Sequence, residues 1–304
     1  MGRGVEIFVL LVLIVVIIGL GCFVWLNTPK TPVTFEGGTE NTENLDFGKN
    51  ELQFYPNMRY GNASIRYWIN SSCPIVRQRD IEEAFSIIER ETMLRFVHNN
   101  ANPEISVFCA KELPEPDEQG YFVAGEGGPT KVINTTKFAL ILSGAVSLYK
   151  AEKCETPNIA IHEVLHALGF EHSNDRNSIM YPVSSCEQRI IKNVKDEIDR
   201  LYSMPSDAEI ILEKIKATKS GRYINFDISV KNVGLTDLKS ANLRIVADNT
   251  EVKSFELGDI LIGSSKMLNV ENLKGPMMFN EVEFSVYTKI DGKDYNKIRM
   301  KIQG

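Results

Sequence analysis

Histidine is scarce in this chain: there are four in 304 residues, and three of them, His162, His166 and His172, fall within eleven positions. Cysteine is little commoner, at five, and no close CxxC pair occurs, which excludes a cysteine-knuckle metal site. No basic run stands out against the formal net charge of −6, which argues against a nucleic-acid partner. The glycine-rich GEGG of Gly125–Gly128 lacks the Gly-Lys-Ser/Thr and the following helix of a phosphate loop, and reads as a loop before an edge strand. From Ala208 onward there is neither histidine nor cysteine, so no chemistry is expected there. A composition 43% hydrophobic and 24% charged is ordinary for a globular protein and leaves room for two domains.

What is present is the stretch His162–Pro182, HEVLHALGFEHSNDRNSIMYP. On a helix, His162 and His166 lie one turn apart on one face, the spacing two ligands need to grip one tetrahedral zinc ion. Glu163, offset by roughly 100°, sits beside the metal, where it can take a proton from a zinc-bound water as general base. His172 lies six residues beyond His166 and would face elsewhere if the helix continued. The helix must therefore stop, and Gly169, able to adopt the left-handed conformation, stands where it should. Upstream, Thr156-Pro157 offers an N-cap and a first-turn proline, so a helix over about Pro157 to Leu168 is expected. A bare HExxH arises by chance in roughly one chain in a hundred, and the added glycine and third histidine lower that to about one in 10⁵.

HExxHxxGxxH followed by Met180 resembles the metzincin zinc endopeptidases. Within them it looks most like the matrixins, whose pattern continues as Ser-x-Asp and then Met-Tyr-Pro, here Ser173, Asp175, Met180, Tyr181 and Pro182. The resemblance covers about Leu52 to Pro205 and implies an α+β catalytic domain, a mixed twisted sheet with three helices. It also implies a single catalytic zinc, Met180 as a hydrophobic base beneath the metal, Pro182 lining the specificity pocket, and no ligand role for Tyr181. The residue pattern agrees with such a domain. Ser64–Ile69 alternates as a strand, and Arg77 to about Thr92 places Ile81, Ala84, Phe85 and Ile88 at helical spacing. Leu94–Val97 and Glu104–Phe108 read as short strands, and Ile190, Ile191, Val194, Ile198 and Leu201 line a third helix. By resemblance, an edge strand formed by Thr130, Lys131, Val132, Ile133 and Asn134 would bind extended polypeptide substrate by strand addition. The disulfides it suggests are Cys73–Cys109 and Cys154–Cys186; four free thiols are the alternative. The chain departs from the family in three respects. No cysteine-switch propeptide precedes the domain, and His98 stands without the companions that would hold a second, structural zinc. Ser184 occupies the place of a usual pocket tyrosine. Its scattered carboxylates show no calcium-site pattern.

The N-terminal Ile7–Leu26 is an uncharged run long enough to cross a bilayer, expected as a membrane anchor over 1–26. A cleaved signal peptide and, at Cys22, a lipid attachment are the alternatives. Residues 27–50 are polar and read as a flexible linker. The even number of cysteines beyond the apolar run and the sequons at Asn62, Asn70 and Asn134 place residues 27–304 outside the cytoplasm. The peptidase domain is expected over 51–205. Residues 206–304 carry about seven strand signals and the hairpin signal Asp291-Gly292, and suggest an all-β sandwich. The pattern from Val230 to Ala241 resembles immunoglobulin-like modules of prokaryotic surfaces, which would allow contact with the cell envelope or with surface proteins. The chain is thus expected to be a membrane-anchored zinc endopeptidase. The alternative is a surface adhesion or envelope-binding protein in which the sandwich does the work and the metzincin-like domain is a scaffold.

Overall fold

A computed structural model describes residues 12–20, 22–23, 33–37, 52–109, 123–150 and 153–301. Two separate hydrophobic cores divide it. One runs from Met58 to Tyr202 and the other from Ile210 to Met300.

The first core lies under a six-stranded sheet built from β2 (Met58–Tyr60), β3 (Ser64–Ile69), β4 (Arg95–His98), β5 (Ile105–Cys109), β6 (Gly125–Asn134) and β7 (Ala139–Leu148). β6 pairs along the whole of one edge of β7, so β2 and β5 share the other edge end to end, and β3 and β4 follow outward. All of these pairings are parallel except that of β6, which therefore closes the sheet as an antiparallel edge strand. Helix α1 (Ile75–Glu91) buries Ile81, Ala84, Phe85 and Ile88, the stripe read from its spacing. Helix α2 (Asn158–Ala167) packs on α1, β6 and β7, and α3 (Lys192–Ser203) buries Val194, Ile198 and Leu201. The third helix begins later than its apolar pattern, because Ile190 and Ile191 lead into it as extended chain; Ile191 is its N-cap. Both disulfides form as expected, Cys73–Cys109 tying the ends of neighbouring β3 and β5, and Cys154–Cys186 tying the approach to α2 to the segment after Met180.

The second core lies between two four-stranded sheets. One has the order β1-β8-β9-β12 and the other β11-β10-β13-β14. Their strands are β1 (Val33–Gly37), β8 (Ile210–Ser220), β9 (Tyr223–Asn232), β10 (Leu238–Ala247), β11 (Thr250–Ile260), β12 (Ser265–Lys274), β13 (Glu281–Thr288) and β14 (Asp294–Lys301). Asp291-Gly292 does turn β13 into β14, with Gly292 at φ +67°. The sandwich expected from the sequence is present, with one strand that was not expected. Val33–Gly37, read as part of a flexible linker, pairs antiparallel with β8 from Val33↔Lys219 to Gly37↔Ile215. An exposed edge with free backbone donors and acceptors captures a passing extended segment, and the sequence of VTFEG alone does not announce it.

The expected anchor lies largely at the limit of the described residues. Residues 12–20 and 22–23 are helical, and among the described residues no helix is long and apolar enough to cross a membrane. The rest of Ile7–Leu26 lies outside the described residues.

The two cores are joined through a buried arginine. Arg59, on β2 and 1% exposed, donates to the carbonyls of Leu201 and Met204 at the end of α3, to Gly61, and to the Ser206 hydroxyl on the way into the sandwich. Its guanidinium also lies over the Tyr202 ring at 4.6 Å. A buried cation is tolerated when carbonyl oxygens and an aromatic face replace its water. A second contact is the ion pair Lys137–Glu209, and a third places Gly263 so close to Ile133 that an added Cβ would lie 2.8 Å from its methyl carbon. Arg59→Ala leaves those carbonyls buried and unpaired. It should lower the unfolding free energy of the full chain by about 3 kcal/mol in urea titration. Unchanged stability would mean that the junction is solvated.

Candidate metal centre and cleft

The centre is built on α2. Its N-cap is Pro157 rather than Thr156, with no side-chain cap, and the helix proper starts at Asn158. Its end is as read. Gly169 takes φ +95°, its N–H donates to the His166 carbonyl at 2.9 Å, and the Phe170 N–H reaches back to Leu165 at 3.0 Å. These two bonds form a Schellman motif, which reverses the chain within three residues and brings His172 back over the helix. Tyr60 supports this end from below by donating its hydroxyl to the Ala167 carbonyl at 3.1 Å.

The three imidazoles converge. His166 Nε2 lies 2.9 Å from His162 Nε2 and 3.1 Å from His172 Nε2. Two of the rings are fixed from behind, His162 Nδ1 donating to the Ile179 carbonyl at 2.6 Å and His166 Nδ1 to the Phe170 carbonyl at 2.7 Å. With the proton on Nδ1, Nε2 carries a bare lone pair, so the short contact between His162 and His166 is not a hydrogen bond. Two lone pairs face each other, and the third nitrogen points at the same place. Only a cation between them removes the repulsion. Tetrahedral zinc with Zn–N near 2.05 Å sets its nitrogens about 3.3 Å apart, close to the spacings found here. The residues fit that ion: three nitrogen donors, two of their rings fixed by backbone acceptors, and a fourth side left open. The triad is also the group of metal-donor side chains that gather closely among the described residues.

Burial sets the titration. His162 and His166 are held down to about 4, by desolvation first in both, so they remain neutral donors well below the usual histidine range. Glu163, 6% exposed, is pushed up to about 8 by desolvation, with the Glu126 charge adding to the shift. A dication at the histidines would oppose that shift and favour the carboxylate.

The cleft of about 840 Å³ around the centre is lined by His162, Glu163, His166 and His172, with Phe54 on one margin and Pro182–Cys186 on another. Phe54 also stacks on His166, ring centroids 5.8 Å apart. Met180 is buried in the core at the turn below, where its carbonyl accepts from Ser173. Tyr181 is only half-buried, its N–H bonded to Ser178. His98 packs its ring edge-on to Tyr67, far along the sheet on β4.

The edge strand begins earlier than the sequence suggested. GEGG is not a loop but the opening of β6. It is this part, with Val123 and Ala124, that borders the cleft, whereas Thr130, Lys131, Val132, Ile133 and Asn134 lie further along the strand, beyond the cleft and toward the sandwich. The glycines are needed because the strand crosses directly over Glu163. A Cβ on Gly125 would lie 2.7 Å from Glu163 Cγ, and one on Gly127 only 2.0 Å from the Glu163 carbonyl oxygen. The signal was available, since a glycine in a strand marks a close backbone approach. Glu126, between them, accepts from the Tyr149 hydroxyl at 2.7 Å and raises its pKa to about 12. Phe54 and Glu126 had no motif to announce them.

Residues 62–203 match the Matrixin family of M10 peptidases. This part of the chain is similar to matrixin zinc metallopeptidase domains. One solved structure with some likeness is high choriolytic enzyme 1, a hatching enzyme zinc-protease from the medaka fish Oryzias latipes. It is 24% identical, with a TM-score of 0.25, and the match covers 37% of this chain and 46% of that one. The chain thus spans less than half the length of that relative. No curated protein matches the chain.

Two outcomes follow for the peptidase domain. Gly127→Ala forces β6 off α2 and should lower the melting temperature by about 5 °C and activity more than 10-fold, while Gly128→Ala, whose side chain would meet open space, should change neither. Because protons compete with zinc only for neutral histidine, and burial holds two ligands near 4, zinc should stay bound on acidification to about pH 5 and leave by about pH 4. Metal analysis after dialysis reads this directly, and release centred above pH 6 would contradict it.

Proposed function

We propose that this metallopeptidase is an endopeptidase that cleaves internal bonds of extended polypeptides, with Glu163 as general base. The observation that carries the reading is the placement of Glu163, buried beside the three converging imidazoles and directly beneath β6, whose outer edge meets no strand among the described residues. A peptide laid along the free edge of β6 gains backbone hydrogen bonds without regard to side chains, which suits an enzyme that accepts internal sites.

His162, His166 and His172 would hold the zinc, which supplies Lewis acidity toward the scissile carbonyl and the attacking water. Glu163 accepts the proton of that water as it attacks, and the same carboxyl then delivers it to the leaving amine. The crossing of β6 over α2 keeps Glu163 from swinging away, because its Cγ lies against the Gly125 backbone. Ile179 and Phe170 hold two ligand rings in the tautomer that donates through Nε2. Pro182 and the residues after it line the pocket for the side chain that follows the scissile bond.

The setting is part of the same proposal. Residues 7–26 anchor the chain in a membrane, and the catalytic and sandwich domains stand outside the cytoplasm. The uncharged apolar run, two disulfides typical of oxidising compartments and the sequons at Asn62, Asn70 and Asn134 support this. The sandwich, rooted through Arg59 on one side and paired with β1 of the tether on the other, acts as a spacer that keeps the cleft near surface polypeptides. Contact with the cell envelope would fall to its outer faces.

Glu163→Gln should lower kcat on an unfolded protein by at least 10³-fold while the chain still binds one zinc ion. Full activity of that variant would remove Glu163 from the chemistry. Cleavage by neither form, with zinc present, would favour a binding protein on a peptidase fold.

A further inference from the structure

Between Met180 and α3 the chain leaves the metal centre, forms one wall of the cleft and returns. The base of this loop is closed by backbone pairing: the Ile179 N–H donates to the Arg189 carbonyl at 2.8 Å, and the Arg189 N–H to Asn177 at 3.1 Å. The Ile179 carbonyl is also the acceptor for His162 Nδ1, so the loop begins on the orienting group of a metal ligand. Its tip, Pro182–Cys186, lines the cleft and contains neither helix nor strand. Irregular backbone of this kind has no ladder to define its shape.

Three ties supply what the ladder would. Gln188 is 2% exposed, and its amide makes three bonds, two to the loop and one to Arg176 ahead of it. Its Oε1 accepts from the Ser185 N–H at 3.0 Å, and its Nε2 donates to the Val183 carbonyl at 2.9 Å and to the Arg176 carbonyl at 3.3 Å. Asn158, in the first turn of α2, donates its Nδ2 to the Ser185 carbonyl at 2.7 Å. Cys186 is bridged to Cys154, and both cysteines line the cleft themselves. The ties therefore run from the wall to the zinc helix or its approach, or to Arg176 ahead of Met180, or close the wall on itself.

We propose that Gln188, with Asn158 and the Cys154–Cys186 bridge, is a positioning device that preforms the pocket wall and sets selectivity for the residue after the scissile bond. The proposal rests on the endopeptidase reading. A wall already ordered in the free enzyme spares the ordering cost at binding, and it rejects side chains that a soft wall would mould itself around. Gln188 bonds the wall and the Arg176 carbonyl, and none of its side-chain bonds reaches a metal ligand. The Ile179–Arg189 pairing below is backbone to backbone and survives its replacement, so selectivity separates from metal binding.

The test compares the full-length, zinc-loaded chain with Gln188→Met, which keeps the volume and removes the three bonds, and with Cys154→Ser/Cys186→Ser. An unfolded protein mixture is digested and cut sites are read by mass spectrometry, and kcat, KM and zinc content are measured on the best peptide. The expected result is one zinc per chain, kcat within about 3-fold, KM raised at least 10-fold, and a flattened preference after the scissile bond. Unchanged KM and preference in Gln188→Met would overturn the proposal, as would a parallel loss of zinc and kcat, which is what mere support of the metal centre predicts. Should the cysteine variant not fold, Gln188→Met decides alone. Absence of any cleavage by the zinc-loaded wild type would overturn the endopeptidase reading, and this proposal with it.

Discussion

Three imidazole nitrogens aimed at one point repel one another, and most of the catalytic domain can be understood as the means of holding them there. No hydrogen bond relieves the contact between His162 and His166, because the backbone carbonyls of Ile179 and Phe170 keep the protons of these two rings on the far side. The cost is met by a cation when one is bound, and by the surrounding fold when it is not. Each support lies on a different part of the chain. The helix supplies two ligands at one-turn spacing, the Schellman turn at Gly169 returns the third, and the Met180 turn brings the Ile179 carbonyl under His162. Tyr60, from the first strand of the sheet, ties the end of the helix to the rest of the core.

The same convergence explains the glycines of β6. A strand edge passes close above the metal centre, and the helix carrying the ligands lies beneath. There is no room for side chains between strand and helix at Gly125 and Gly127. Removing them brings backbone against backbone, buries Glu163 and raises its pKa. One steric requirement therefore positions the strand edge, confines Glu163 and sets its titration. The wall on the opposite course of the chain has no such strand, and side-chain amides and a disulfide define it instead.

The domain junction shows a different economy. A single guanidinium, removed from water, satisfies carbonyls at the end of α3 and a hydroxyl in the linker, so the passage from one core to the next is fixed where it would otherwise be a hinge. β1 adds a second attachment, since a segment from before the catalytic domain completes a sheet that follows it. The sandwich is thus held to the chain on both sides of the peptidase domain.

The sequence by itself determined the local chemistry. HExxH at helical spacing, a glycine after it and a third histidine name the ligands, the carboxylate beside them and the helix end, because those properties depend on periodicity and on the φ that glycine tolerates. Alternation in Ser64–Ile69 and the apolar stripe of α1 gave their elements for the same reason. Only the tertiary structure decided what depends on distant partners. Arg59 has no motif, since its acceptors at the end of α3 lie more than a hundred positions away. Thr130–Asn134 has better strand composition than GEGG, yet GEGG borders the cleft, because closeness to α2 and not propensity chooses the segment. Val33–Gly37 becomes a strand only because β8 offers an open edge. Gln188 reads as an ordinary polar residue until the loop folds over it and gives its amide three backbone partners. Periodicity and turn chemistry are written within a few residues of where they act, whereas edges, close approaches and buried polar ties exist only once the chain has returned on itself.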